Sequence, residues 1–297
     1  MIKGSDSVIC PKCNKTYDDK INICPECGIK LIGKNEYYWY RKASYFFEEM
    51  HDDEAIESYD RLIELNPNNP EYWDKKAQIL YYLERYAEAL VCYDQLTKLE
   101  FENDSYWNKK GECLFNLDKD REAMKCYDKA IEINPDNPEY WNNGGSCLRI
   151  GLRRVEESLL YFDQAIKLDS DNSLYWVFKA HCFEDIIKFE EAIECYNKAI
   201  EINPNYSHYH FFKGKCLEKL EIYNEALECY DKIIELGPNR SDSYKNKGDF
   251  FKKLGRYEEA LECYDKAIEL EPDNEEYLAF KKDCLEKIVD ERSKKNI

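Results

Sequence analysis

From Glu36 onward, apolar and small residues recur at helical spacing. Between Asp104 and Asn137, in DSYWNKKGECLFNLDKDREAMKCYDKAIEINPDN, Trp107, Gly111 and Leu114 fall at i, i+4 and i+7, one face of a helix. Ala123, Tyr127 and Ala130 repeat that spacing, so a second helix follows, with Asn116 to Asp120 as a polar turn between the two. Gly111 and Ala123 are small enough to let the helices approach closely, while Trp107 and Tyr127 fill the space beside them. Pro135 ends the second helix, and the next starts on Asn137 as N-cap with Pro138 in its first turn, as at Asn69-Pro70. Neither helix can bury its stripe alone, so such units must stack.

The pattern is periodic. Trp39, Trp73, Trp107 and Trp141 are each 34 residues apart, Trp176 follows after 35, and His210 and Tyr244 continue the phase. Ala55, Ala89, Ala123, Ser158, Ala192, Ala226 and Ala260 keep step, as do Tyr59, Tyr93, Tyr127, Phe162, Tyr196, Tyr230 and Tyr264. The fourth copy carries one extra residue in Gly151-Leu152-Arg153-Arg154, expected in the surface turn between its helices. A period of 34 with W-x3-G/A, A-x3-Y/F and a closing Pro resembles the tetratricopeptide repeat, in seven copies over residues 36–273. The resemblance implies an all-α fold: a right-handed superhelical solenoid of antiparallel helix pairs. Residues 274–297 read as a C-terminal capping helix and tail, with Leu278 in the tryptophan phase and no second helix after it.

Residues 8–32, VICPKCNKTYDDKINICPECGIKLI, differ in kind. Cys10-Pro-Lys-Cys13 and Cys24-Pro-Glu-Cys27-Gly28 form two C-x2-C knuckles ten residues apart. Four thiolates so spaced can close a tetrahedral shell, with Gly28 supplying backbone freedom after the second pair. The segment resembles a short zinc ribbon with one structural Zn2+ per chain, whose binding would supply much of the segment's folding free energy. A rubredoxin-type iron site and a redox dithiol pair are the rival readings, and the short loop favours zinc.

Composition narrows function more than fold. Net charge is −18 with a pI near 4.8, which argues against an array that wraps nucleic acid or lies on an anionic membrane. Lys3, Lys12, Lys15, Lys20, Lys30 and Lys34 make the first 34 residues basic, so nucleic acid stays open for the ribbon. No apolar run approaches 18 residues, and the start MIKGSDSVIC lacks an apolar signal region, so a cytoplasmic protein is expected. Of 14 cysteines, Cys113, Cys147, Cys182, Cys216 and Cys284 share one repeat phase, and Cys92, Cys126, Cys195, Cys229 and Cys263 share another. Regular phasing reads as small apolar core filler, reduced and unbound to metal. Lys42, Lys76, Lys110, Lys179, Lys213, Lys247 and Lys281 precede the Gly/Ala position, broken by Gly144. Asp60, Asp94, Asp128, Asp163, Asp231 and Asp265 follow the second-helix aromatic, broken by Asn197. A lysine at a packing position needs an anion or an exit along its own stem, so pairing with an aspartate of its own or an adjacent unit is expected.

No catalytic motif is present, and no enzyme is expected. The resemblance places partners on the first helices, bound as extended peptides or helices. The groove would be lined in the early units by Tyr37, Tyr40, Phe47, Gln78, Tyr81, Tyr82, Asn108 and Phe115, and later by His181, His208, Phe211, Lys215, Lys219, Lys245, Lys252 and Lys253. This split lining suggests a ligand aromatic or aliphatic at one end and acidic at the other, unless Lys219, Lys252 and Lys253 only close helix C-termini. His181 and His208 look into the groove from adjacent first helices, polar lining being a commoner role there than a metal pair. His210 reads as a packing substitute for tryptophan. A subset of the family grips chaperone tails with Lys, Asn, Asn, Lys and Arg at fixed places, and no window here reproduces that set. The implied function is a non-enzymatic protein–protein interaction scaffold with the ribbon as second module; the alternative is a transcription- or nucleic-acid-associated regulator that contacts its target through the ribbon. The partner's identity, the pathway and the oligomeric state are not written in the sequence.

Overall fold

The computed structural model describes residues 7–18 and 21–295 and divides into two compact units, residues 1–153 and 154–297. In the first, β1 (Ser7–Ile9) pairs antiparallel with β2 (Thr16–Asp18) and β3 (Ile32–Gly33), in the order β2-β1-β3. Helices α1 (Lys34–Glu48), α2 (Asp52–Leu65), α3 (Pro70–Tyr82), α4 (Tyr86–Leu99), α5 (Asp104–Asn116), α6 (Asp120–Ile133) and α7 (Pro138–Ser146) follow. The second unit holds α8 (Val155–Leu168), α9 (Ser173–Asp185), α10 (Phe189–Ile202), α11 (Ser207–Lys219), α12 (Tyr223–Leu236), α13 (Ser241–Lys253), α14 (Tyr257–Leu270) and the long α15 (Glu275–Lys295). Within each unit successive helices pack as antiparallel pairs, so the fold is an all-α repeat solenoid behind a small three-stranded sheet.

The periodic stripes form the core. Ala55, Ala89, Ala123, Ala192, Ala226 and Ala260 are fully buried, and Tyr93, Tyr127, Tyr196, Tyr230 and Tyr264 are among the largest fully buried side chains. Small residues opposite these rings are a steric requirement: a Cβ on Gly111 would lie 2.7 Å from the Tyr127 ring. Asn69, Asn103, Asn137 and Asn172 cap α3, α5, α7 and α9, each accepting a first-turn backbone N–H, at 3.1, 3.4, 3.0 and 3.1 Å.

Three side-chain ladders run along the repeats. Trp73, Trp107, Trp141 and Trp176 each donate Nε1–H to the carbonyl six residues earlier, at 2.8, 2.8, 2.8 and 3.2 Å. The His210 ring reaches the Pro204 carbonyl at 3.5 Å, so it does stand in for tryptophan. The lysines reach backward to the preceding unit's second helix: Lys110 to Asp94 at 2.8 Å, Lys179 to Asp163 and Lys247 to Asp231 at 2.6 Å, Lys281 to Asp265 at 2.7 Å, and Lys76 to Asp60 likewise. Where the aspartate is Asn197, Lys213 has no carboxylate partner among the described residues. A tyrosine in the first turn of the first helix forms the third ladder. The Tyr72 hydroxyl donates to Glu36 at 2.9 Å, Tyr140 to Asp104 at 3.0 Å and Tyr277 to Asp242 at 3.0 Å, while Tyr209 and Ser173 share a bond of 2.9 Å.

The turn inside each pair repeats as well. Met50, Glu84, Asp118, Arg153, Ile187, Glu221 and Gly255 all have φ near +60° or above, each two residues before a second helix. In six of these turns the next N–H bonds back to the carbonyl five residues earlier, for instance Arg85 N–H to Leu80 at 2.8 Å and Arg256 N–H to Phe251 at 3.0 Å, closing a Schellman motif. The extra residue of the fourth copy corrects an expectation: it does not lengthen the surface turn. Cys147–Gly151 is a π-helical turn closed by Leu152 N–H on the Cys147 carbonyl at 3.0 Å. A π-turn absorbs one added residue within a helix, which keeps the following turn in its shared conformation.

Candidate metal centre and helical interaction face

The two C-x2-C knuckles have the same backbone. Cys10 N–H bonds the Lys15 carbonyl at 2.9 Å and Asn14 N–H the Cys10 carbonyl at 3.0 Å; Cys24 N–H bonds Ile29 at 2.8 Å and Gly28 N–H bonds Cys24 at 2.9 Å. The residue after each second cysteine is left-handed, Asn14 at φ 61° and Gly28 at φ 69°. Asparagine tolerates that conformation best after glycine, a cue in the sequence that an inspection for glycine alone misses.

All four sulfurs lie within 4.8 Å of one another. Cys10–Cys27 and Cys24–Cys27 are 3.2 Å apart and Cys13–Cys24 is 3.7 Å. These are too long for disulfides, at about 2.05 Å, and close to the roughly 3.8 Å edge of a tetrahedron with 2.3 Å metal–sulfur bonds. The four cysteines could therefore hold one metal ion with no position left for water. Cys10 and Cys24 are buried, and Leu31, Val8 and Tyr17 pack around the cluster. The Tyr17 hydroxyl lies 3.3 Å from Cys24 Sγ, an orienting contact that motif reading did not single out. Burial opposes ionisation of Cys24, but hydrogen bonds from Tyr17, Cys27 and nearby N–H groups hold its thiol below the ordinary cysteine value. Lys15 is held by Glu26 at 2.6 Å, which leaves Lys12 and Lys30 as the exposed basic residues of the described ribbon; Lys3, Lys20 and the Lys34 side chain lie outside the described residues.

Several groove residues are placed differently from expectation. Tyr37 donates its hydroxyl to Asn14 Oδ1 and so ties α1 to the ribbon. Asn108 is 2 % exposed; it donates to Glu112 at 2.8 Å and accepts from Asn143 Nδ2 at 3.0 Å, so its amide is used inside the wall. Tyr40 and Phe115 are half-buried, and Gln78 is exposed but donates to Asp74 at 2.7 Å. Phe47 and Tyr82 are open to solvent, at 42 % and 74 % exposure. Phe47, Tyr81 and Phe115 share one repeat phase, and two of these rings carry a lysine from the next first helix: Lys75 lies 5.8 Å from the Phe47 ring and Lys109 5.2 Å from Tyr81.

In the second unit the lysines prove to be paired. Glu218, 5 % exposed, takes Lys215 and Lys253 at 3.0 Å each and the Tyr230 hydroxyl as well. Burial opposes the charge on Glu218, yet hydrogen bonds from Tyr230, Lys253 and Lys215 hold its carboxyl below the usual range. Lys245 pairs with Asp249 at 3.0 Å and Lys252 with Asp283 at 2.6 Å. The expected cationic patch for an acidic ligand is thereby corrected: spacings of three and four residues and the adjacent first helices supply carboxylates, and of the five only Lys219 is exposed without one among the described residues. Phe211 is half-buried beneath Lys215, 5.5 Å from its ring. His181 packs against Phe178, Tyr196 and Phe212, whereas His208 is exposed and stacks on Tyr206, so the two face different surroundings.

Family profiles of the tetratricopeptide repeat match residues 37–69, 70–103, 105–137, 126–158, 174–206, 207–240 and 241–274. The chain belongs to the tetratricopeptide repeat family. Comparison with curated proteins gives no match. Among solved tetratricopeptide repeat structures, it is similar to the C-terminal part of a repeat protein from Cytophaga hutchinsonii, with 16 % identity over 81 % of this chain and 98 % of that one and a TM-score of 0.67. A tetratricopeptide repeat protein from Parabacteroides merdae gives 16 % identity, coverage of 85 % and 100 %, and a TM-score of 0.62. YrrB, described as a TPR protein with an unusual peptide-binding site, gives 21 % identity, coverage of 62 % and 94 %, and a TM-score of 0.50. At these identities the likeness is one of fold. No helix among the described residues is long and apolar enough to cross a membrane.

Proposed function

We propose that this tetratricopeptide repeat protein is a non-enzymatic scaffold that binds an extended peptide or a helix against the first helices of its early repeats. The observation that carries the reading is the row formed by Phe47, Tyr81 and Phe115, one ring per repeat on successive first helices, flanked by Lys75 and Lys109. Aromatic anchors at a fixed pitch suit a chain laid across the helices, and such rings carry most of the affinity in grooves of this kind. YrrB, with its peptide-binding site, supports the same mode by analogy of fold.

The ribbon, residues 8–32, is a structural module holding one Zn2+ through Cys10, Cys13, Cys24 and Cys27, and it serves as a second interaction surface. The four-sulfur shell, with all sulfurs within 4.8 Å of one another, supports a closed structural zinc over a catalytic ion, which needs an open position. Two experiments test the proposal. A partner captured by the intact chain should dissociate faster from a Phe47→Ala, Tyr81→Ala variant, and equal binding would overturn the groove. Metal analysis should return one zinc per chain, lost in Cys24→Ser; a metal-free wild-type protein would overturn the ribbon assignment.

A further inference from the structure

The tyrosine ladder has one missing rung. Tyr72, Tyr106, Tyr140, Tyr175, Tyr209 and Tyr277 occupy the residue before the tryptophan phase, and the corresponding residue in the penultimate first helix is Ser243. At this place the structure has a cavity of about 190 Å³ between the first turns of α11 and α13. Its floor is Phe211 and Ile233, and the rest of its wall is polar: Ser207, His208, Arg240, Asp242, Lys245 and Asn246 beside Ser243. Ser243 is 3 % exposed. Ser207 stands 36 residues before Ser243, as Ser173 stands 36 before Tyr209, whose hydroxyl it meets at 2.9 Å. Ser207 instead takes a long contact of 3.4 Å from the Arg240 guanidinium, which has no carboxylate partner among the described residues.

We propose that this cavity is a binding site for a phenol ring, either a tyrosyl side chain of a partner or a free para-substituted phenol. The same chain supplies the template. The filled rungs show a buried phenol whose hydroxyl meets an acid or hydroxyl 36 residues earlier: Glu36 for Tyr72, Asp104 for Tyr140, Ser173 for Tyr209 and Ser241 for Tyr277. At the empty rung the ring would lie on Phe211 and Ile233, and its hydroxyl would donate to Ser207 and accept from Arg240. An apolar floor under a polar wall can hold a phenol by ring packing and hydroxyl hydrogen bonds together.

The probe is p-cresol, titrated into the full-length chain and followed by calorimetry and by the shift of the Ile233 methyl signals. Saturable binding in the millimolar range is expected, consistent with a ligand of eight heavy atoms. Ser243→Tyr should fill the slot and weaken p-cresol binding at least tenfold. Toluene, which lacks the hydroxyl, should bind several-fold more weakly. If Ser243→Tyr misfolds, the wild-type Ile233 shifts and the toluene comparison still decide. Absence of saturable binding, unchanged binding in a folded Ser243→Tyr, or toluene binding as tightly as p-cresol would each overturn the proposal. Competition by a peptide containing one tyrosine, abolished when that tyrosine is alanine, identifies the source as a partner side chain; p-cresol binding without such competition assigns the site to free phenols.

Discussion

Replacing the left-handed glutamates at the helix ends should stabilise the repeats. Glu84 and Glu221 occupy the C′ position of α3 and α11 at φ 57° and 60°, and Gly255 fills the same position after α13 at φ 72°. A non-glycine residue there costs roughly 1–2 kcal/mol. A carboxylate beside the negative end of the helix dipole adds about 0.3–1 kcal/mol. Glycine gives back roughly 0.5–1 kcal/mol through the freedom it gains in the unfolded chain. Both glutamates are exposed and have no ion-pair partner among the described residues, so little packing is lost. The net expectation for Glu84→Gly or Glu221→Gly is a gain of about 1 kcal/mol, and the two sites lie in separate units, so their effects should add. Thermal and urea unfolding followed by circular dichroism would register each as a rise of about 2–4 °C in the midpoint. The reciprocal change, Gly255→Ala, should cost about 1 kcal/mol. If both glutamate variants melt at or below the wild type while Gly255→Ala is neutral, backbone strain does not set the stability of these turns.

The other predictions rest on ion pairs and thiols. Asn197→Asp should complete the lysine–aspartate ladder at Lys213, gaining up to about 1 kcal/mol in low salt and losing that gain in 1 M salt, checked by paired urea titrations. Glu218→Gln should destabilise the protein by about 1–2 kcal/mol, because Lys215 and Lys253 lose the shared carboxylate charge and one of its two acceptor oxygens while remaining partly solvated. Because the folded carboxyl is held below its ordinary value, its contribution is complete above the unfolded value of about 4.5 and is lost as pH falls through the folded one, so wild type and variant should converge in acid. Burial pushes Cys92, Cys126, Cys195, Cys229 and Cys263 up to about 11 and Cys113 and Cys147 up to about 12, so these thiols should resist alkylation at pH 8 until the chain is unfolded. Rapid labelling of Cys113 in the folded protein, read by mass spectrometry, would contradict that.

The sequence by itself determined the repeating unit. A spacing of 34 placed Gly111 against Tyr127 and put asparagine caps at Asn69 and Asn137, because steric fit and capping act within a few residues. It also phased the cysteines as buried filler and brought the lysine and aspartate series close enough to expect a ladder. The periodicity did not say that Lys110 reaches back to Asp94 in the preceding unit, since phase fixes the face of a helix and the tilt between helices fixes the partner. Nor did it say that Tyr37 joins the ribbon, that Asn108 is spent inside the wall, or that Lys215 and Lys253 converge on one buried carboxylate. The added residue near Gly151 shows the same division: its presence is a fact of spacing, but only the structure shows it taken up as a π-turn ahead of a turn that keeps the left-handed residue of the other repeats. The cavity at Ser243 likewise lies beyond the sequence, for a serine in a tyrosine phase becomes an empty slot only when the neighbouring helices keep their distance.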